Sequence, residues 1–220
     1  MDVAKLLTIL EDNSLFFTSI TNLDDPLEGF LNRATVSIFR KLPQGLPKIK
    51  EEETKKIIEG NLLKLKQARS LLNVSSWHMN EHESAAMWQL YSRGNQGIAI
   101  QTTYMRLKES FNDAKEDVLI GKVRYIDEDN DTIDWVNVIN YALHKRKSFE
   151  HEKELRAIVL SPSDDDSGGS VSVDLKKLIE RIYVAPKSSQ WIFELIQKII
   201  RRYNLEIPVV QSRMFEKPLY

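Results

Sequence analysis

The most restrictive stretch of this sequence is ELRAIVL, residues 154–160. It is short, rich in aliphatic and β-branched side chains, and flanked by a charged run on one side and by SPSDDDSGG on the other. Such a segment reads as a strand that becomes more apolar toward its end, and an apolar strand end belongs in a core. Its beginning carries Glu154 and Arg156, with Glu152 two residues earlier. Alternate side chains of a strand share a face, so Glu152, Glu154 and Arg156 are expected to project together while Leu155, Ala157 and Val159 face the core. Charges at the entrance to a buried strand must find partners, because an unpaired buried charge is costly.

The rest of the chain supplies both helices and strands. Apolar residues recur at helical spacing in 2–11 (Val3, Leu6, Leu7, Leu10), and helices are also expected at 27–40, 48–72, 84–92, 135–147 and 188–203. Strands are expected at 15–19, 74–77, 98–102 and 118–125, at 154–160, and in the short runs VSV, RIYVA and IPVV. The two types are mixed without a regular βαβ rhythm. The expected class is therefore α+β: a bent sheet, mixed or antiparallel, surrounded by helices. The segment LPQGLP and the charged helix after it mark a helical insertion at about 30–72. With 220 residues, 42% of them hydrophobic, the chain is read as one domain, 1–220, with that insertion. No glycine-rich turn joins a strand to a helix, which argues against a doubly wound nucleotide fold or a phosphate loop.

Charge and composition narrow the chemistry. Lysine and arginine total 31 against 32 acidic residues, so the balance does not indicate nucleic acid as a partner. There is no cysteine, which removes disulfides, thiolate metal sites and a thiol nucleophile. No apolar run reaches the roughly 20 residues that span a bilayer, so no membrane is expected. The opening MDVAKLLTILEDN is acidic and has no small-residue cleavage site, so the expected location is the cytoplasm.

Three segments carry candidate chemistry. In HKRKSFEHEKELR, Glu152, Glu154 and Arg156 are the candidate catalytic residues, with Lys147 close enough in sequence to bind a ligand. A guanidinium can hold one carboxylate ionised while burial keeps the other protonated, a division suited to acid/base or hydroxyl-orienting work. The plain alternative is a salt-bridge ladder on an edge strand. In TNLDDPLEG, Asp25 and Glu28 are candidate ligand-binding residues. Asp25 before Pro26 also has the pattern of a helix start, with Glu28 in the capping-box position. In MWQLYSRGNQGIAI, Trp88 and Tyr91 share a helix side and either pack in the core or meet a ligand. No metal-site motif is present.

Taken in order, LDDPLEG, MWQLYSRGNQGIAI, KVRYID and KSFEHEKELR resemble the signature of the bacterial family called domain of unknown function 2971, over about residues 15–213. The sequence departs from the family pattern in opening at MDVAKLL, in Asp24 and in His151. The family has no established general activity. The Glu-x-Glu pair also looks like that of arginine-type ADP-ribosyltransferases, which implies that Glu154 orients the nicotinamide ribose of NAD and stabilises an oxocarbenium-like state. Three function classes stand beside one another. The first is an enzyme with a carboxylate/arginine pocket acting on a small-molecule or nucleotide ligand. The second is a non-catalytic ligand-binding or protein-interaction module in which the same residues fix the fold. The third is a metal-dependent nuclease or phosphoesterase using Asp24, Asp25, Glu28, Glu152 and Glu154.

Overall fold

Helix starts and stops follow local chemistry in this computed structural model, which describes residues 1–41, 56, 59–60, 63–64, 67–92, 95–134, 136–160, 167–216 and 218. Helix α1 (Val3–Asp12) begins where Asp2 accepts a hydrogen bond from the Lys5 amide, and it stops at Asn13 in the left-handed region. It leads into β1 (Ser14–Ser19), a short 3-10 turn at Ile20–Asn22, and then α2 (Arg33–Lys41). The described residues between 56 and 69 are helical, and β2 (Leu72–His78) follows. Next come α3 (Ala85–Tyr91), β3 (Ile98–Gln101), α4 (Tyr104–Ser110), β4 (Leu119–Lys122) and β5 (Arg124–Ile126). After them are α5 (Ile139–Ala142), β6 (His144–Arg146), a 3-10 turn at Lys147–Glu152 and β7 (Glu154–Leu160). The chain ends with β8 (Gly168–Ser172), α6 (Leu175–Leu178), β9 (Arg181–Val184), α7 (Gln190–Arg202) and β10 (Val209–Gln211).

This is an α+β protein with a mostly antiparallel principal sheet. The described residues fall into two compact units: Met1–Leu15, Asn80–Glu116 and Ser170–Tyr220 form one, and Phe16–Met79 and Asp117–Gly169 form the other. Among the described residues no helix is long and apolar enough to cross a membrane.

The second unit holds the strand from which the sequence reading started. β7 lies between β2 and β4, antiparallel to both, with Ser76 and Gly121 opposite Arg156. β1 pairs antiparallel with the other edge of β2. One face of this sheet packs Val74, Leu72 and Ile158 against Ile20, Tyr141 and Ala142, with Leu23, Leu31, Val138, Ile139 and Leu143 around them. A small parallel pair, β5 with β6, sets Tyr125 beside Lys145. In the first unit, β3, β9 and β10 form a three-stranded sheet, antiparallel between β3 and β9 and parallel between β9 and β10. Its buried residues include Ile98, Ile182 and Val184 and the helical stripe Ile192, Ile196 and Ile200 of α7. That stripe is the amphipathic face expected from the sequence at 188–203.

Several local readings are corrected. The helix expected from residue 27 starts at Arg33, and its N-terminus is capped by Asn32, whose side-chain oxygen accepts from the Thr35 amide. The Asp25–Pro26 step instead opens a turn, in which the Asp25 carboxylate accepts from the Leu27 amide. The strand expected over 118–125 is broken at Val123 into β4 and β5. In the helix expected over 135–147, only Ile139–Ala142 are helical, Trp135 being outside the described residues. Asp134 and Asn137 accept from backbone amides two residues on, and such local bonds compete with a continuing helix. Pairing with β5 then draws 144–146 into a strand, a tertiary contact that outweighs propensity. Within the expected insertion, residues 42–55 lie outside the described residues, and β2 begins at Leu72 where helix was expected.

Candidate functional site

The sheet register and the 3-10 turn before β7 gather five ionisable side chains inside the second unit. Arg156 is 1% exposed and is among the largest fully buried side chains. Its three nitrogens are all engaged: Nε donates to Glu154 at 2.7 Å, Nη1 to the carbonyl of Ala142 at 2.9 Å, and Nη2 to the Glu28 carboxylate. Lys145 lies on the other side of the two strand-entry carboxylates. Its ammonium donates to Glu154 Oε1 at 2.7 Å and to Glu152, and it lies 3.8 Å from Glu28 Oε2. The cluster thus holds three carboxylates against two cations.

Strand alternation is not what brings Glu152 and Glu154 together. Glu152 closes the 3-10 turn, and Lys153 adopts the left-handed region (φ 43) before the strand begins. That kink sets the two carboxyl groups within reach of one ammonium. The expected division of faces is corrected as well. Six consecutive residues from Glu154 to Val159 are buried, so the strand is covered on both sides. The face that carries Glu154 and Arg156 continues into Ile158 of the core cluster. The cluster is therefore sealed at one end by apolar packing, not laid out along a solvent-facing ladder.

Electrostatics divides the carboxylates. Burial pushes Glu152 above its ordinary value, and a hydrogen bond shared with Glu154 adds to the shift despite Lys145. Glu154 is opposed by the same burial, but the guanidinium of Arg156, its hydrogen bond, and the bonds to Glu152 and Lys145 hold it well below the usual carboxylate range. Burial also raises Glu28, against the pull of Arg156 and Lys145. The Lys145 ammonium is desolvated, yet its bonds to Glu152 and Glu154 outweigh that and raise its pKa. The two neighbouring carboxyls are thus pushed in opposite directions, Glu152 up by burial and Glu154 down by its cations. Glu152 keeps 9% of its surface and Glu154 6%.

The other expected residues fall in different places. Asp25 is buried and forms a two-pronged pair with Arg146, at 2.7 and 3.0 Å, which anchors the turn that carries Glu28. Lys147 is exposed, and the ammonium that enters the cluster is that of Lys145, two residues earlier. Trp88 and Tyr91 belong to the first unit. There Trp88 Nε1 donates to Glu83 at 2.9 Å, and Tyr91 is 57% exposed. Among the described residues no group of three or more His, Cys, Asp or Glu side chains is arranged to hold a metal ion.

Lys145, Arg146 and Tyr125 are the residues that sequence reasoning missed. The Tyr125 hydroxyl accepts from the Glu154 amide at 2.7 Å, fixing the first residue of β7. The ring of Phe149 lies 4.8 Å from the Lys145 ammonium and 5.4 Å from the Arg146 guanidinium. The available signal was the basic run HKRK before the acidic pair, but assigning 144–147 to a helix hid which of its cations pointed inward. Comparisons with protein-family models, with curated proteins and with solved structures give no match for this chain.

Proposed function

We propose that the second unit carries the acid/base centre of an enzyme that acts on a small-molecule or nucleotide ligand, an ADP-ribosyltransferase-like reaction on NAD being the leading form. The supporting observation is the split between two adjacent carboxyl groups: Glu152 raised by burial and Glu154 held ionised by Arg156 and Lys145. Paired groups pushed apart in this way are the pattern of an assigned acid and an assigned charge. Both Glu154 oxygens are bonded to cations, which keeps Glu154 ionised beside the Glu152 carboxyl. Glu152 is the working carboxyl, orienting a ribose hydroxyl or passing a proton. Membership of the family called domain of unknown function 2971 is part of the same proposal and rests on the motif order alone.

The test is incubation with NAD, reading nicotinamide release and transfer of labelled ADP-ribose to protein from an extract. Wild-type protein is expected to consume NAD, and Glu152→Gln is expected to lose about a hundredfold or more of the rate while remaining folded. No NAD loss by folded wild-type protein overturns the reaction, and equal rates for Glu152→Gln overturn the role.

One observation favours a second reading, a non-catalytic module. Every nitrogen of Arg156 is committed inside the protein, as in a network that specifies a fold. In that case Glu28→Gln, Glu154→Gln and Arg156→Ala lower the melting temperature together, and no ligand raises it.

A further inference from the structure

Arg69, an arginine of the second unit, makes few of the bonds it could among the described residues. A guanidinium carries five N–H donors. Arg146 places two bonds on Asp25 and Arg156 places three on its partners. Arg69 makes one among the described residues, from Nη2 to the carbonyl of Ile20 at 3.5 Å. Its Nε is buried without a partner. Gly29, at φ +75, packs so closely that a Cβ there would lie 2.8 Å from that nitrogen. The ring of Phe30 lies 4.0 Å from the guanidinium carbon and is itself 36% exposed. Stacking on a ring fixes the plane of a guanidinium and leaves its edge available for a planar, two-pronged contact.

The carboxylate whose field reaches Arg69 is Glu28, and Glu28 is already bonded to Arg156. Burial lowers the Arg69 pKa with only that opposing pull, so the charge is weakly compensated. The turn Asp25–Phe30 therefore presents two cations differently: Arg156 has all three nitrogens bonded, and Arg69 against its backbone does not.

We infer that Arg69, stacked on Phe30 and wedged against Gly29, is an oxyanion subsite that takes a phosphoryl or carboxylate group of the ligand. This rests on the reading of the second unit as a ligand-handling centre and adds the chemical class of what it binds. A guanidinium edge meets an oxyanion through two parallel N–H···O bonds, and both bonds are charge-assisted. Glycine at position 29 meets two demands, a φ of +75 that strains any side chain and a close approach of Arg69 that a Cβ would crowd.

The experiment is titration calorimetry of the full chain with inorganic phosphate, pyrophosphate and acetate as separate probes. Wild-type protein binds at least one probe, and Arg69→Gln weakens that binding about tenfold or more, which corresponds to about 1.4 kcal/mol. Arg69→Lys gives an intermediate loss, since an ammonium keeps the charge but not the fork. This variant also carries the comparison if Arg69→Gln does not fold. Preference for phosphate or for acetate assigns the group. Glu152→Gln binds the probe as wild type does, even where it abolishes NAD turnover. Absence of binding by folded wild-type protein, or equal affinity in wild type and both Arg69 variants, overturns the subsite. NAD turnover that persists without oxyanion binding overturns the subsite alone, and oxyanion binding without turnover overturns the reaction alone.

Discussion

Glu152 is the residue in which stability and function meet. Its carboxyl is raised above 4.5 in the folded chain, chiefly by burial. The folded state therefore holds a proton that the unfolded state has released, and its contribution to stability is present below 4.5 and lost as the pH rises through the raised folded value. Glutamine at this position keeps the shape and does not titrate. The melting temperature of Glu152→Gln relative to wild type is expected to rise as the pH increases above 4.5, and parallel pH profiles would contradict that. Glu154 behaves in the opposite sense. Its depressed folded value means that its contribution is present above 4.5 and lost as the pH falls below it, through the loss of ion pairs with Arg156 and Lys145. Sequence was informative at this scale about which residue types meet: Glu28, Glu152, Glu154 and Arg156 were singled out from it and share one cluster. It misassigned the lysine, because Lys145 and Lys147 are equally basic and only the path of the backbone separates a buried ammonium from an exposed one.

At the scale of elements, the site depends on how β4, α5 and β7 stack. Gly121 on β4 lies opposite Arg156, and a Cβ there would come within 2.8 Å of the Leu143 side chain. Leu143 follows Ala142, whose carbonyl receives Arg156 Nη1. Gly121→Val must displace Leu143 and with it the end of α5, an overpacking cost of about 1–3 kcal/mol. The measurement is the denaturation midpoint, and a variant as stable as wild type would show that α5 yields freely. Helices α1 and α3 were legible because the spacing that marks them lies among neighbours in sequence, and the structure adds their caps, Asp2 accepting from the Lys5 amide and Ser84 from the Met87 amide. The β5–β6 pair was not, because its two partners are separated by the acidic loop and α5.

For the whole molecule, the second unit is assembled from two separated stretches of chain and the first from three. In the second unit, β7 is hydrogen-bonded on both edges and covered on both faces. Its amides, from Leu155 to Val159, are expected to exchange only through opening close to global unfolding, typically about 5–15 kcal/mol, and those of terminal and loop segments far more readily. Native-state hydrogen exchange measures this directly, and fast exchange in β7 would mean that the strand is not the centre of the unit. The α+β class, the strand at 154–160 and the charged cluster at its entrance were determined by the sequence, because hydrophobic period and the cost of unpaired buried charge act locally. The tertiary structure decided which lysine enters the cluster, that both faces of β7 are covered, that Asp25 pairs with Arg146, and that Trp88 and Tyr91 belong to the other unit. Each of those outcomes depends on contacts between residues distant along the chain, and their energies arise only once the backbone has brought them together.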